Sequence, residues 1–235
     1  MNNVTLLICL CSFVVFAKIR IILKKTQYSA KNFYFFRTFA AQNLRSMTKL
    51  YLMRHGETID NARQLMQGQV QGQLNEEGIR QAKAVRDELA TQHFDAIIAS
   101  DLKRSSDTAS IVAQPHNLTV VSTPLLRERD WGDFTGRFIP ELKGLPWPDN
   151  VEKLDCLLER ARQFVHYIYN TYEGQTVLAV GHGIINKAIQ AVYYGCQMKD
   201  VTRMNNAEVR LLLLEHDFDV QTPQKTTNDK NFSIT

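Results

Sequence analysis

Cysteine is scarce in this chain of 235 residues: there are four, Cys9, Cys11, Cys156 and Cys196. Two sit near the start and two lie far apart, so neither a disulfide framework nor a metal-ligand spacing is implied. That usage suits a reducing compartment, and a cytoplasmic location is the expectation. Acidic residues are missing altogether from residues 1–46, which hold seven Lys or Arg. Without that stretch, residues 47–235 carry 21 basic against 24 acidic residues, so the formal +4 of the whole chain hides a mildly acidic body. The body therefore offers no basic footprint for nucleic acid, and no such partner is expected. Internal repeats and low-complexity tracts are lacking as well.

Residues 4–17 form a fourteen-residue apolar run closed by Lys18 and Arg20, short of the roughly twenty residues a membrane helix needs. Its charge lies behind it rather than before it, unlike a secretory signal. A membrane association is expected only if this run is a true anchor, and the basic flank 18–45 would then keep the body on the cytoplasmic side. The acid-free segment 18–46 also has the composition of a transit peptide. The expected organisation is an N-terminal extension over 1–46, a folded domain over 47–216 and a polar, aperiodic tail over 217–235.

Within the body, apolar runs alternate with helical periods. Residues 50–53, 96–99, 118–121, 176–180 and 209–215 read as strands. Residues 76–91 read as a helix with Asn75 as N-cap and Glu76 and Glu77 at the positive end of its dipole. Residues 102–113 and 184–194 read as further helices. Leu154, Leu157, Leu158, Ala161, Val165 and Ile168 give a long amphipathic helix that Gly174 ends. Residues 124–150, with four Pro and three Gly, read as loop with at most one short helix. Alternation of this kind predicts an α/β fold, with ligands bound at the carboxyl ends of the strands of a mainly parallel sheet.

Arg54-His55-Gly56-Glu57-Thr58 directly follows the first strand. An imidazole there can attack phosphorus, Arg54 offers a planar fork to phosphate oxygens, and Gly56 allows close backbone approach. Alone the tripeptide is weak, because a lone His is more often structural. Gly181-His182-Gly183 follows the fourth strand in the same manner, and two such His can face one site. Arg104 follows the second strand, near a helix N-terminus that already favours anions.

Together with Asn61, Gln67-Gly68, Leu74, Gly78, Thr108-Ala109, Leu126-x-Glu128, Gly132 and Gly136, these blocks resemble the histidine phosphatase (phosphoglycerate mutase-like) superfamily over roughly residues 49–215. The resemblance implies a three-layer α/β sandwich with helices on both faces of the sheet. It implies that His55 takes the phosphoryl group and that Arg54, Arg104 and a cationic His182 bind its oxygens. Asn61 and Gln67 add hydrogen bonds, and Glu128 serves as proton donor and then as base. No cofactor and no metal are implied, and the partner is a small phosphorylated substrate. Within the charge run Arg127-Glu128-Arg129-Asp130, Glu128 is lifted above Asp130, and above Glu57 elsewhere, only by its place in the motif.

Only 54 positions separate Glu128 from His182, whereas related mutases carry a long insertion there. A short lid leaves the phosphoenzyme open to water, which favours a phosphomonoester hydrolase over a mutase. A non-catalytic binding module is the third alternative. Trp131, Phe134, Phe138 and Trp147 either line the substrate pocket or pack their loop onto the domain.

Overall fold

A computed structural model describes residues 47–214. The apolar run 4–17, the basic segment 18–45 and the tail from Asp217 lie outside these residues. Five strands, β1 (Thr48–Arg54), β2 (Ala96–Ser100), β3 (Val120–Thr123), β4 (Thr176–Gly181) and β5 (Val209–Leu214), form one sheet in the order β3-β2-β4-β1-β5. All neighbours are parallel except β5, which runs antiparallel to β1. The helices are α1 (Ile59–Ala62), α2 (Glu76–Leu89), α3 (Lys103–Ala113), α4 (Leu154–Thr171) and α5 (Gly183–Tyr194).

Side-chain alternation along the strands splits the core in two. Leu50, Leu52, Ile98, Val177 and Ala179 point into a core shared with Leu157, Ala161 and Phe164 of α4 and Ile185 and Ile189 of α5. Tyr51, Met53, Ile97, Ala99, Leu178 and Val180 point the other way, against Val85 of α2 and Ala109 and Val112 of α3. This is the expected three-layer sandwich. It explains why the central strands read as continuous apolar runs: both of their faces are covered.

Asn75 caps α2 as expected, its Oδ1 accepting from Gly78 N at 2.7 Å. Beyond the end of α4, Gly174 adopts φ 70°. Its N–H donates to Thr48 Oγ1 at 3.0 Å, and that hydroxyl donates to Tyr172 O at 2.9 Å, so the turn is tied to the start of β1. Two expectations are corrected. The third strand is shifted two residues later, to Val120–Thr123, and as an edge strand with two exposed residues it carries a weak pattern. The segment 124–150 contains three 3-10 turns rather than one short helix: Pro124–Leu126, Gly132–Phe134 and Ile139–Leu142. Each buries one apolar residue (Leu126, Phe134, Leu142), so packing organises a segment whose Pro and Gly content suggested loop.

Candidate active site

The register pairs Arg54 with Gly181 across β1 and β4, and His55 N continues the ladder to Gly181 O at 3.0 Å. The two strand ends therefore deliver His55 and His182 to one place, with ring centroids 5.1 Å apart. Gly56 is required by packing: a Cβ there would stand 2.5 Å from Gly78 O. The same loop is held by Gly56 N donating to Thr108 Oγ1 at 3.1 Å, while that hydroxyl donates to Arg104 O at 2.7 Å. Thr108 thus couples the His55 loop to α3.

His55 Nδ1 lies 2.7 Å from Gly56 O. A carbonyl can only accept, so Nδ1 carries the proton and Nε2 keeps its lone pair for attack. Burial, then Arg104 and Arg54, hold the pKa of His55 well below 6.5. His182 is fully buried, and burial followed by Arg104, His55 and Arg54 lowers its pKa in the same way. The expected cationic His182 is therefore neutral in the free protein. A proton there becomes favourable only when an anion offsets the two guanidinium groups.

Arg54 and Arg104 are both buried, and burial is the main cause that brings each pKa down to about 10. Arg54 Nη1 donates to Met204 O at 2.8 Å. Arg104 donates through Nη2 to Gly68 O at 2.8 Å and through Nη1 to Val70 O at 2.5 Å. It therefore holds the loop after α1 as well as facing the site. Gln67 is buried beside it: Gly72, at φ 63°, leaves the room that Gln67 Oε1 and the Arg104 side chain share. Asn61 stands one step removed. Its Oδ1 closes the cap of α1 by accepting from Thr58 N at 3.3 Å, and it also accepts from Asn206 Nδ2 at 3.2 Å, which donates in turn to His55 O.

Glu128 occupies the N-terminus of α5, directly behind His182. Its Oε1 accepts from Arg129 N at 2.9 Å and from Ile184 N and Ile185 N at 3.1 Å each, and Oε2 accepts from Ile184 N at 3.1 Å. Both oxygens act as acceptors, the arrangement a helix N-terminus favours for an anion. The other two carboxylates have structural partners: Glu57 Oε1 accepts from Asn75 Nδ2 at 2.6 Å, and Asp130 Oδ1 from Gly132 N at 2.9 Å.

Among the described residues, five of the eight buried side-chain polar atoms without a partner are here: Arg54 Nε, Arg104 Nε, Gln67 Oε1 and both ring nitrogens of His182. Each such atom costs about 1–3 kcal/mol unless something occupies the site. Four of the five belong to groups that donate, or can donate once protonated, so the natural occupant is an anion with several acceptor oxygens. Among the described residues, no group of three or more His, Cys, Asp or Glu could hold a metal ion, and no helix is long and apolar enough to cross a membrane.

Sequence reasoning missed Arg160, which straps the Glu128 loop. Its guanidinium donates to the Arg127 carbonyl, to Leu125 O at 3.2 Å and to Glu152 Oε2 at 2.8 Å. It also missed residues 201–208, which carry Asn206 and Arg203 to the site without any periodicity to signal it. Of the four aromatics in 124–150, Trp131 and Phe134 are buried and Trp147 packs against them, so these three hold the loop down; Phe138 is exposed.

The sequence pattern of the histidine phosphatase superfamily, branch 1, matches residues 50–229. A metal-independent phosphoserine phosphatase of Arabidopsis thaliana is 32% identical over 160 residues, spanning 61% of this chain and 67% of that one. A probable phosphoglycerate mutase of Yersinia pestis is 45% identical over 96 residues, but these cover only 41% of this chain and 45% of that one. Among solved structures, a mycobacterial glucosyl-3-phosphoglycerate phosphatase superposes with a TM-score of 0.65 at 26% identity, over 71% of this chain and 90% of that one.

Proposed function

The chain belongs to the histidine phosphatase superfamily, branch 1, and on that premise we propose that it is a metal-independent phosphomonoester hydrolase working through a phosphohistidine at His55. The observation that carries this reading is the cluster of unpaired, buried polar atoms around two facing imidazoles. A phosphoryl group satisfies Arg54 Nε and Arg104 Nε with its oxygens. Its negative charge also favours a proton on His182, which then donates to it. His55 Nε2 attacks phosphorus, the ester bond breaks, and the leaving oxygen takes a proton. Water then attacks the phosphohistidine, releasing inorganic phosphate and restoring the imidazole.

Glu128 is the proton carrier in this scheme. The substrate's approach has to free one of its oxygens from the α5 N-terminus, which then becomes an anion site for the phosphoryl group. Gln67 orients the incoming phosphate from beside Arg104, and Asn61 acts through Asn206 on the His55 backbone. The expected cytoplasmic setting is retained; Cys156 and Cys196 are free thiols, which suits a reducing compartment.

Hydrolysis is favoured over transfer to a second hydroxyl because 54 positions separate Glu128 from His182. The two 3-10 turns Gly132–Phe134 and Ile139–Leu142 and the strap from Arg160 hold the first part of that segment down on the domain. The test is a panel of phosphomonoesters, assayed for released phosphate with and without a chelator, beside an isomerisation assay on phosphoglycerate. Phosphate release that chelation leaves unchanged is the expected result. Isomerisation outrunning release would make the enzyme a mutase, and loss of activity on chelation would remove the metal-free mechanism.

A further inference from the structure

Residues 201–208 are bound closely to the end of β1. Arg54 Nη1 donates to Met204 O at 2.8 Å, Ala207 N to His55 O at 3.1 Å and Asn206 Nδ2 to His55 O at 3.2 Å. Arg210 pulls the same loop toward α5, donating to Thr202 O at 2.9 Å and Gln190 Oε1 at 2.7 Å. Met204 is buried and anchors the loop, while Arg203 beside it is exposed.

The Arg203 guanidinium hangs over Gly183, the residue after His182. A Cβ on Gly183 would stand 3.2 Å from Arg203 Nε, 3.4 Å from Arg203 Nη2 and 3.5 Å from Arg54 Nε. Two guanidinium groups therefore flank one point at the start of α5. Burial is the main cause that lowers the pKa of both His55 and Lys187, and the charge of Arg203 adds to it at each.

No ion pair among the described residues engages Arg203. Glu208 is committed to Arg210 at 2.7 Å and to Asn205 N at 2.7 Å, and Glu128 to the α5 N-terminus. The phosphoryl oxygens already have Arg54, Arg104 and His182. A further exposed guanidinium at the mouth faces the part of the substrate that projects outward.

We propose that Arg203 binds a second anionic group of the substrate, a carboxylate or a second phosphate lying a few bonds from the scissile phosphoryl group. The substrate class is then a small, doubly anionic phosphomonoester. This assignment rests on the phosphatase reading of the same site. Arg203 touches the non-reacting end of the substrate and sets specificity, whereas Arg54 and Arg104 serve every ester alike.

The test compares the full-length chain with Arg203→Gln and Arg203→Lys on matched esters. 3-Phosphoglycerate and glycerol 3-phosphate differ by one carboxylate. Propane-1,3-diol bisphosphate and propyl phosphate differ by one phosphate, and nitrophenyl phosphate is the common reference. Arg203→Gln should lower kcat/KM for a doubly anionic ester by roughly 10- to 100-fold, chiefly through KM, the size of one charge-assisted contact. The singly anionic twin should lose far less, and Arg203→Lys should recover part of the loss. The pair with the larger differential identifies the second group as carboxylate or phosphate. Equal losses on all esters, or no loss on any, would overturn the assignment while His55-dependent hydrolysis of nitrophenyl phosphate left the phosphatase reading standing. A folded chain that hydrolyses none of these esters would remove both.

Discussion

Replacing Glu128 by Gln separates two roles that the structure combines in one carboxylate. Glu128 caps α5 through Ile184 N and Ile185 N and also accepts from Arg129 N in its own loop, and it is also the proposed proton carrier. Gln keeps an acceptor oxygen for the three bonds made by Oε1. It places an NH₂ group where Oε2 accepts from Ile184 N at 3.1 Å. The structural loss is the charge–dipole interaction at a buried helix start, about 0.3–2 kcal/mol, plus about 1 kcal/mol for one impaired hydrogen bond. In a domain of this size 1 kcal/mol moves Tm by about 2–4 °C, so the variant stays folded at assay temperature.

The chemical loss is much larger, because general acid–base help is worth about 10²–10⁴ in rate. It should appear in kcat with alkyl phosphates, whose leaving oxygen needs a proton. It should shrink with nitrophenyl phosphate, whose leaving group departs as an anion. Thermal unfolding in parallel with both assays keeps stability and chemistry apart. The control is Asp130→Asn, because Asn can still accept from Gly132 N and should leave turnover nearly unchanged. A Glu128→Gln enzyme with the expected drop in Tm but near-normal kcat on alkyl esters would show that Glu128 is only a helix cap. A crippled Asp130→Asn would show that the wrong carboxylate was assigned.

Two further expectations concern stability and domain limits. The pKa values of His55 and His182 are lowered on folding, so below about pH 6.5 the unfolded chain binds more protons than the folded one. Urea-unfolding stability should thus be full above pH 7 and fall by about 1.4 kcal/mol per histidine for each pH unit below 6.5, until the folded pKa is reached. His55→Ala should remove about half of that slope; a flat profile between pH 7.5 and 5.5 would contradict the buried, neutral pair. A chain starting at Met47 keeps every described element and should match the full chain in soluble yield and turnover. An insoluble or inactive product would place part of residues 1–46 in the folded unit.

The elements were legible where both strand faces are covered or a helix has one apolar face. β1, β2 and β4 announce themselves as continuous apolar runs, and α4 through its helical periodicity. β3 was displaced because an edge strand with exposed Val121 and Ser122 carries little pattern. At the site, His55, His182 and Arg54 could be placed because they follow strand ends that the sheet makes adjacent. The capping geometry of Glu128 could not, because it depends on α5 arriving from 56 residues away. Arg203 and Asn206 sit in an aperiodic loop, and only the return of β5 alongside β1 brings them to His55. The neutral state of His182 likewise follows from burial beside Arg104, which no local sequence shows.

A rapid-quench experiment with radiolabelled substrate tests the phosphohistidine at His55 most directly. Wild-type enzyme stopped during turnover should carry a phosphoryl adduct that is labile in acid and stable in base. Peptide mapping should place it on His55, and His55→Ala should show neither label nor turnover while remaining folded. Label on another residue, or a His55→Ala variant that hydrolyses phosphomonoesters at a near-normal rate, would contradict the phosphohistidine mechanism.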